Sequence, residues 1–168
     1  MLFRLAKQND YRDIIDIFYE AKTYLKELTK TQWQSTPKEA DFFVSIKKKH
    51  SYVVEMDGVI VAHASIIFNC VPKARIPIDS DFVGKAPFGS IHLVMVKEKY
   101  KGLGIVGKLF AFLEQNTLAK GIKWLRIDTH ELNVPMQKAI LKFGFKYIGV
   151  VIINNNQLRL GYEKYLEC

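Results

Sequence analysis

The chain is poor in cysteine and has no long apolar run. Its 168 residues include only 2 Cys, Cys70 and Cys168, which are too few for a disulfide framework and lack the spacing of metal ligands. No stretch approaches the roughly 18 consecutive apolar residues that a membrane-spanning helix needs. The N-terminal apolar stretch is too short for a secretory signal, so we expect a cytoplasmic protein. These absences argue against a disulfide scaffold, a zinc module and a membrane protein.

Glycine, proline and acidic residues are also sparse. With 10 Gly and 5 Pro against 49% hydrophobic residues, the composition is that of a folded chain and not of a disordered one. The length suits one domain with a sizeable core, so we predict a single domain over residues 1–168. The 17 Asp and Glu are outnumbered by 25 Lys and Arg, giving a net charge of +8. This excess favours nucleic acid, an anionic membrane surface or a phosphorylated ligand as partner.

Hydrophobic spacing in the first half predicts two helices and then antiparallel sheet. Apolar residues within Ile14–Leu25 recur every three or four positions, which indicates an amphipathic helix. The segment Thr36–Glu39 is typical of a capping box with proline at the first helical position, and predicts a second helix that ends near Lys48. Asp57–Gly58 lies between two β-rich runs and predicts a tight hairpin. Residues 70–88 are predicted to be irregular.

The second half alternates strands and helices. Residues 90–96 and 122–128 are predicted strands, separated by a glycine-rich turn and a helix. This β-α-β order predicts that the two strands pair in parallel. A further helix ends near Phe143–Gly144, and the chain is predicted to finish in a hairpin with asparagines at its turn. The predicted fold class is α/β, with a central, mixed, mostly antiparallel sheet flanked by about four helices.

The glycine-rich turn is the clearest binding motif. Gly102, Gly104 and Gly107 lie within six positions, after a strand and at the start of a helix. Such a turn lets several backbone N–H groups point at one spot, where the helix dipole also attracts a phosphate, and Lys101 and Lys108 add formal charge. The turn lacks the Gly-Lys-Ser/Thr of a Walker loop and does not open a Rossmann domain. The alternative is a helix start built of small residues for close packing.

Two stretches carry a family resemblance. The stretch Val96–Ile105 resembles the Arg/Gln-x-x-Gly-x-Gly/Ala signature of the GNAT superfamily of acyl-CoA-dependent N-acetyltransferases, and Leu125–Phe145 is similar to uncharacterised bacterial members. The chain departs from the family pattern at Val106, usually Gly or Ala, and at Lys101, usually Arg or Gln. Ile140 stands where many members have a tyrosine that protonates the leaving thiolate. The resemblance implies a GNAT-like fold over essentially the whole chain.

The resemblance also implies a reaction and a set of cofactor contacts. It implies acetyl-CoA as cosubstrate, no metal, and acetyl transfer to a primary amine on a small molecule or peptide; it is also compatible with a homodimer. Backbone groups of Met95 and Val96 would pair with the pantetheine arm, and turn amides would hold the pyrophosphate. The implied cofactor-binding residues are Met95, Val96, Lys101, Gly102, Gly104, Val106, Gly107, Lys108 and Asn133.

Direct transfer requires a group that takes the proton of the attacking amine. His130, just beyond a predicted strand, titrates near neutrality, and Asp128 would share its face in an extended chain. We predict His130, Asp128 and Glu131 as catalytic residues. His92 and Glu98 are further candidates for the base, and a capping or packing role is the alternative for His130.

Three other functions are compatible with the sequence. The chain could transfer a longer acyl group, or it could bind acyl-CoA as a silent sensor, which Ile140 suggests. Nucleic-acid binding would use the net charge of +8, but the aromatic residues are not interleaved with basic ones as in stacking platforms. We therefore predict an amine substrate and neither nucleic acid nor a membrane as partner.

Overall fold

A computed structural model describes residues 1–68, 87–153 and 156–167. Over these ranges the chain forms seven strands and four α-helices. The strands are β1 (Leu2–Leu5), β2 (Ser51–Met56), β3 (Val59–Phe68), β4 (Gly89–Val96), β5 (Trp124–Thr129), β6 (Lys146–Ile153) and β7 (Gln157–Tyr165). The helices are α1 (Tyr11–Thr29), α2 (Glu39–Lys47), α3 (Ile105–Leu118) and α4 (Val134–Lys142). Of the helices in these ranges, none is long and apolar enough to span a bilayer.

The seven strands form one mixed sheet in the order β1-β2-β3-β4-β5-β7-β6. Strands β4 and β5 pair in parallel, with Gly89–Ile91 opposite Leu125–Ile127. The β1/β2, β2/β3, β5/β7 and β6/β7 pairs are antiparallel. The predicted α/β class with a mixed, mostly antiparallel sheet is confirmed, as is the parallel pairing across the glycine-rich unit.

The chain divides into two compact units. Unit 1 comprises Met1–Ile66 and Leu93–Leu109, and unit 2 comprises Ile67–His92 and Phe110–Cys168. The single domain over residues 1–168 stays a prediction. The predicted irregular segment lies, except for residues 87 and 88, outside the described residues.

Unit 1 is built around the apolar stripe of α1. Ile14, Ile17 and Phe18 are buried in a cluster with Phe42 of α2, and the rings of Phe18 and Phe42 are 4.9 Å apart between centroids. The predicted helical periodicity of this segment is therefore confirmed. The helix ends where Lys30 takes a left-handed conformation with φ 64°.

The start of α2 differs from the predicted capping box. The helix begins at Glu39, and the carboxylate of Asp41 accepts a hydrogen bond from the amide of Lys38 at 2.7 Å. Thr36 was predicted as the cap and Pro37 as the first helical residue, and both assignments are wrong. The aspartate satisfies an amide that the helix itself leaves without an acceptor, so the helix starts two residues later than predicted.

In unit 2, an aromatic cluster joins α3 to the residues that follow α4. The ring centroids of Phe110 and Phe143 are 5.4 Å apart, and those of Phe110 and Phe145 are 5.9 Å apart. The predicted C-terminal hairpin is confirmed by the antiparallel pairing of β6 with β7. The turn residues Asn154 and Asn155 predicted for it lie outside the described residues.

Candidate functional site

The backbone of β4 changes conformation at Leu93. This residue has φ 54°, in the left-handed region that a branched side chain rarely adopts. Met95, two positions further, is buried, and the amide of Lys97 donates to the carbonyl of Val61 at 2.8 Å. The strand is thus irregular directly before Met95 and Val96, the residues predicted to contact the pantetheine arm.

Two of the three turn glycines have backbones that favour glycine. Gly102 has φ 80° and Gly104 has φ 70°, whereas Gly107 lies within α3. A Cβ atom at Gly107 would meet nothing within 4 Å. The backbone conformation therefore favours glycine at Gly102 and Gly104. At Gly107, neither the conformation nor a lack of space requires glycine.

The start of α3 offers amides to an anion. The amide of Lys108 donates to the carbonyl of Gly104 at 3.3 Å, which is the first hydrogen bond of the helix. The amides of Ile105, Val106 and Gly107 precede it and have no acceptor within the helix. The β-branched Val106 keeps its amide there. These N–H groups lie at the positive end of the helix dipole, where an anion is stabilised.

The two predicted lysines differ in their surroundings. Lys108 is exposed. The Nζ of Lys101 lies 2.5 Å from a carboxylate oxygen of Glu98 and 3.6 Å from the ring centroid of Tyr24 on α1. Glu20, one helical turn before Tyr24, accepts a hydrogen bond from the amide of Glu98 at 2.9 Å. One face of α1 therefore contacts the segment that leads into the glycine turn.

In unit 2, the predicted catalytic residues follow one another at the end of β5. Asp128 lies within the strand opposite Gly161, and His130 follows its last residue. The amide of Leu132 donates to Nδ1 of His130 at 3.1 Å, which assigns the proton of the neutral ring to Nε2. Burial and the positive charge of Arg159 lower the pKa of His130, and Glu131 opposes this. The imidazole is therefore neutral near pH 7.

The loop between β5 and α4 is held by side-chain caps. Asn133 is the N-cap of α4, and its Oδ1 accepts a hydrogen bond from the amide of Met136 at 3.3 Å. The amide group of Gln137 donates to the carbonyls of His130 at 3.3 Å and Glu131 at 2.5 Å. The first turn of α4 thus orders the predicted catalytic segment, and Asn133 has a structural role there besides its predicted cofactor contact.

The position of the family's thiolate acid carries no acidic group. Ile140 is fully buried in unit 2. Tyr162 of β7, whose phenol could act as an acid, is also buried, and burial together with Tyr147 raises its pKa. Tyr162 is therefore protonated near neutral pH, as an acid must be.

The structure gathers the predicted residues into two segments. Eight of the predicted cofactor-binding residues lie between Met95 and Lys108, in one strand-turn-helix segment of unit 1. One strand-loop-helix segment of unit 2 holds the other predicted residues, Asp128, His130, Glu131 and Asn133. Two features of this region were not predicted from the sequence: the conformation of Leu93, and His63, whose imidazole contacts the Leu93 carbonyl. Only the nearly continuous apolar run around His63, Val59–Phe68, hinted at its burial.

Comparison with known proteins identifies the family. Residues 11–145 match the model of the Acetyltransferase (GNAT) family. The chain belongs to the GNAT acetyltransferases. The predicted superfamily and the general activity, acetyl transfer, are therefore confirmed. A search of curated protein sequences finds no significant match.

Solved structures share the fold of this GNAT acetyltransferase at low sequence identity. A GNAT acetyltransferase from Streptococcus agalactiae has a TM-score of 0.87 at 23% identity, with 99% of this chain and 96% of that chain covered. The acetyltransferase yncA from Salmonella typhimurium, solved with acetyl-CoA, has a TM-score of 0.73 at 17% identity, with 100% and 95% covered. PaiA N-acetyltransferase from Thermoplasma acidophilum, solved with coenzyme A, has a TM-score of 0.76 at 14% identity, with 98% of each chain covered. The predicted GNAT-like fold is confirmed.

Proposed function

We propose that this GNAT acetyltransferase transfers the acetyl group of acetyl-CoA to a primary amine on a small molecule or peptide. The observation that carries the proposal is the turn before α3, where Gly102 and Gly104 have positive φ and precede amides with no acceptor in the helix. Such a turn suits the pyrophosphate of the cosubstrate. The solved Salmonella and Thermoplasma proteins, described with acetyl-CoA and coenzyme A, support this ligand.

The cosubstrate would be held mainly by backbone groups. The amides of Gly102, Gly104, Val106 and Gly107 would bind the pyrophosphate, with Lys101 and Lys108 supplying charge. Met95 and Val96 would pair with the pantetheine amides, and one amide there would polarise the acetyl carbonyl as its oxygen gains charge. Asn133 would add a contact through its Nδ2, because its Oδ1 caps α4.

The reaction would proceed by direct attack. The lone pair of the neutral amine forms a bond to the acetyl carbon, the carbon–sulfur bond breaks, and coenzyme A leaves as a thiolate. The amine proton passes to His130, whose Nδ1 accepts it in place of the hydrogen bond from Leu132. Asp128 and Glu131 would stabilise the positive ring that results. A thiol has an ordinary pKa of about 8.5, so the thiolate can leave without an acid at position 140.

A catalytically silent acyl-CoA sensor is the second candidate. The observation that favours it is the identity and burial of Ile140. This aliphatic side chain is fully buried at the position where the family resemblance implies an acid. A sensor would bind coenzyme A through the same turn and release no thiol.

The two candidates are separated by one experiment. Thiol release from acetyl-CoA is measured with a panel of amines that includes polyamines, amino acids and peptides, and coenzyme A binding is measured by calorimetry. We expect binding and amine-dependent thiol release. Tight binding with no release across the panel would favour the sensor, and the absence of binding would contradict both.

A further inference from the structure

The imidazole of His63 on β3 is fully buried and contacts the irregular point of β4. Its Nδ1 lies 3.0 Å from the carbonyl oxygen of Leu93, the strand residue with φ 54°. A carbonyl can only accept a hydrogen bond, so the proton of the ring lies on Nδ1. The histidine therefore donates to the backbone at the residue of β4 that has a positive φ.

The other side of the ring is held by a chain of hydroxyl groups. Nε2 lies 3.2 Å from Oγ of Ser51 on β2, which is itself 2.9 Å from Oγ of Ser45 on α2. Ser45 lies 3.1 Å from the hydroxyl of Ser65. The ring of Phe42 packs against the imidazole, with 5.6 Å between centroids. Three elements thus fix the orientation from which His63 contacts Leu93.

The buried ring is a neutral donor. Burial lowers the pKa of His63 to about 4, against the smaller opposite effect of the Leu93 carbonyl. At neutral pH the ring keeps a single proton, on Nδ1. A left-handed branched residue persists in a strand only when its surroundings determine it, and this hydrogen bond is such a determinant.

We propose that His63 is a positioning residue for acetyl transfer, holding the carbonyl of Leu93 so that the backbone of Met95 and Val96 points correctly at the acyl-CoA. This inference rests on the proposed function. It assigns His63 no contact with either substrate. Its effect should fall on the orientation of the thioester, and thus on kcat, because a small misplacement of reacting groups costs rate more than binding.

The test compares two polar replacements with a matched control. His63→Asn puts an amide near the place of Nδ1, and His63→Gln puts one near the place of Nε2. The control, Thr29→Val, removes a buried hydroxyl elsewhere in unit 1, which accepts a hydrogen bond from the amide of Gln32 at 3.0 Å and donates one to the carbonyl of Leu25 at 2.9 Å. Melting temperature, KM for acetyl-CoA and kcat are measured for all three.

We expect His63→Gln to lower kcat about 10- to 100-fold, with less than about a threefold change in the KM for acetyl-CoA. His63→Asn should keep kcat within about fivefold of the unsubstituted protein, and Thr29→Val should lose thermal stability without losing kcat. Equal kcat in the Asn and Gln variants, or a loss confined to KM, would overturn the inference. So would a nitrogen NMR spectrum that places the His63 proton on Nε2. No thiol release by the unsubstituted protein would instead contradict the proposed function, and this inference with it.

Discussion

The ammonium group of Lys101 lies over the ring of Tyr24, 3.6 Å from its centroid, while it pairs with the carboxylate of Glu98. Both partners of the ion pair are substantially exposed, at 36% and 66%, so the pair itself contributes little to stability. A phosphate at the glycine turn would compete with Glu98 for the same cation.

This competition predicts an effect of Glu98 on cofactor affinity. Glu98→Gln should lower the Kd for coenzyme A about 2- to 5-fold. In this variant, Lys101 has no ion pair to break before it contacts the phosphate, and the site loses a negative charge. The Kd is measured by calorimetry at low salt. Asp57→Asn, in the exposed hairpin turn of unit 1, makes the same charge change and should leave the Kd unchanged. A higher Kd in Glu98→Gln would contradict this account of Lys101.

The glycine turn predicts a difference between two identical substitutions. Gly104→Asp and Gly58→Asp both put a side chain at a positive φ, 70° and 76°, with open space around the new Cβ atom. Each should cost about 1 kcal/mol in the free energy of unfolding. Only Gly104→Asp should raise the Kd for coenzyme A, by about 30-fold or more, since a carboxylate would face the pyrophosphate. Equal Kd values in the two variants would exclude a phosphate site at this turn.

The burial of His63 predicts a loss of stability in acid. Its pKa is about 4 in the folded chain and 6.5 when unfolded. Between these two values the unfolded chain therefore binds a proton at His63 that the folded chain does not bind. Stability therefore falls as the pH drops, and between about pH 7 and about pH 4.5 this group should cost about 2 kcal/mol. The free energy of unfolding in urea is measured at both pH values for the unsubstituted protein and for His63→Asn. Between the two pH values, His63→Asn should lose about 2 kcal/mol less stability than the unsubstituted protein. Equal losses in the two proteins would show that the pKa of His63 is not lowered by folding.

The lowered pKa of His130 predicts the shape of the pH–rate profile. If its ring is the base, kcat/KM falls in acid as the ring becomes protonated, at a pH below 6.5. His130→Gln should lower kcat/KM about 10- to 100-fold at neutral pH and remove this inflection. The melting temperature serves as the control for folding. An unchanged pH–rate profile in His130→Gln would show that His130 is not the base and that its role is the hydrogen bond with the amide of Leu132.

Asn133 combines a cap with a predicted cofactor contact, and two variants separate them. Asn133→Ser keeps an oxygen that can accept the hydrogen bond from the amide of Met136. Asn133→Ala removes this acceptor and should lower the free energy of unfolding by about 1 kcal/mol. Both variants lose Nδ2 and should raise the Kd for coenzyme A alike, by about 3- to 10-fold. Thermal unfolding and calorimetry give the two quantities. Normal affinity in Asn133→Ser would leave Asn133 as a cap alone.

Local patterns accounted for much of the fold. The period of Ile14 to Leu25 predicted α1 because one face of that helix is buried throughout, and the strand order around the glycine turn predicted the parallel pair. Strand β1 was missed because it is only 4 residues long and is joined to β2 by backbone bonds, which leave no side-chain pattern. The start of α2 was misassigned because two capping sequences overlap there, and Asp41 prevails over Thr36.

The site was predictable where it depends on local backbone conformation. Gly102 and Gly104 adopt the positive φ that their place in the turn suggested. The contacts of Lys101 with Tyr24 and of His63 with Leu93 join residues far apart in the chain, and they depend on packing that no local pattern encodes. The left-handed conformation of Leu93 runs against the preference of its own residue type, so tertiary structure alone determines it.

The contacts of α1 with the segment before the glycine turn limit how far that turn can be grafted. Transplanting residues 96–108 into another α/β protein would carry over the glycines and the helix amides. It would leave behind the Glu20 carboxylate that holds the amide of Glu98 and the Tyr24 ring beneath Lys101. A donor segment for such a graft therefore has to include α1, or the host has to supply a carboxylate and an aromatic ring one helical turn apart.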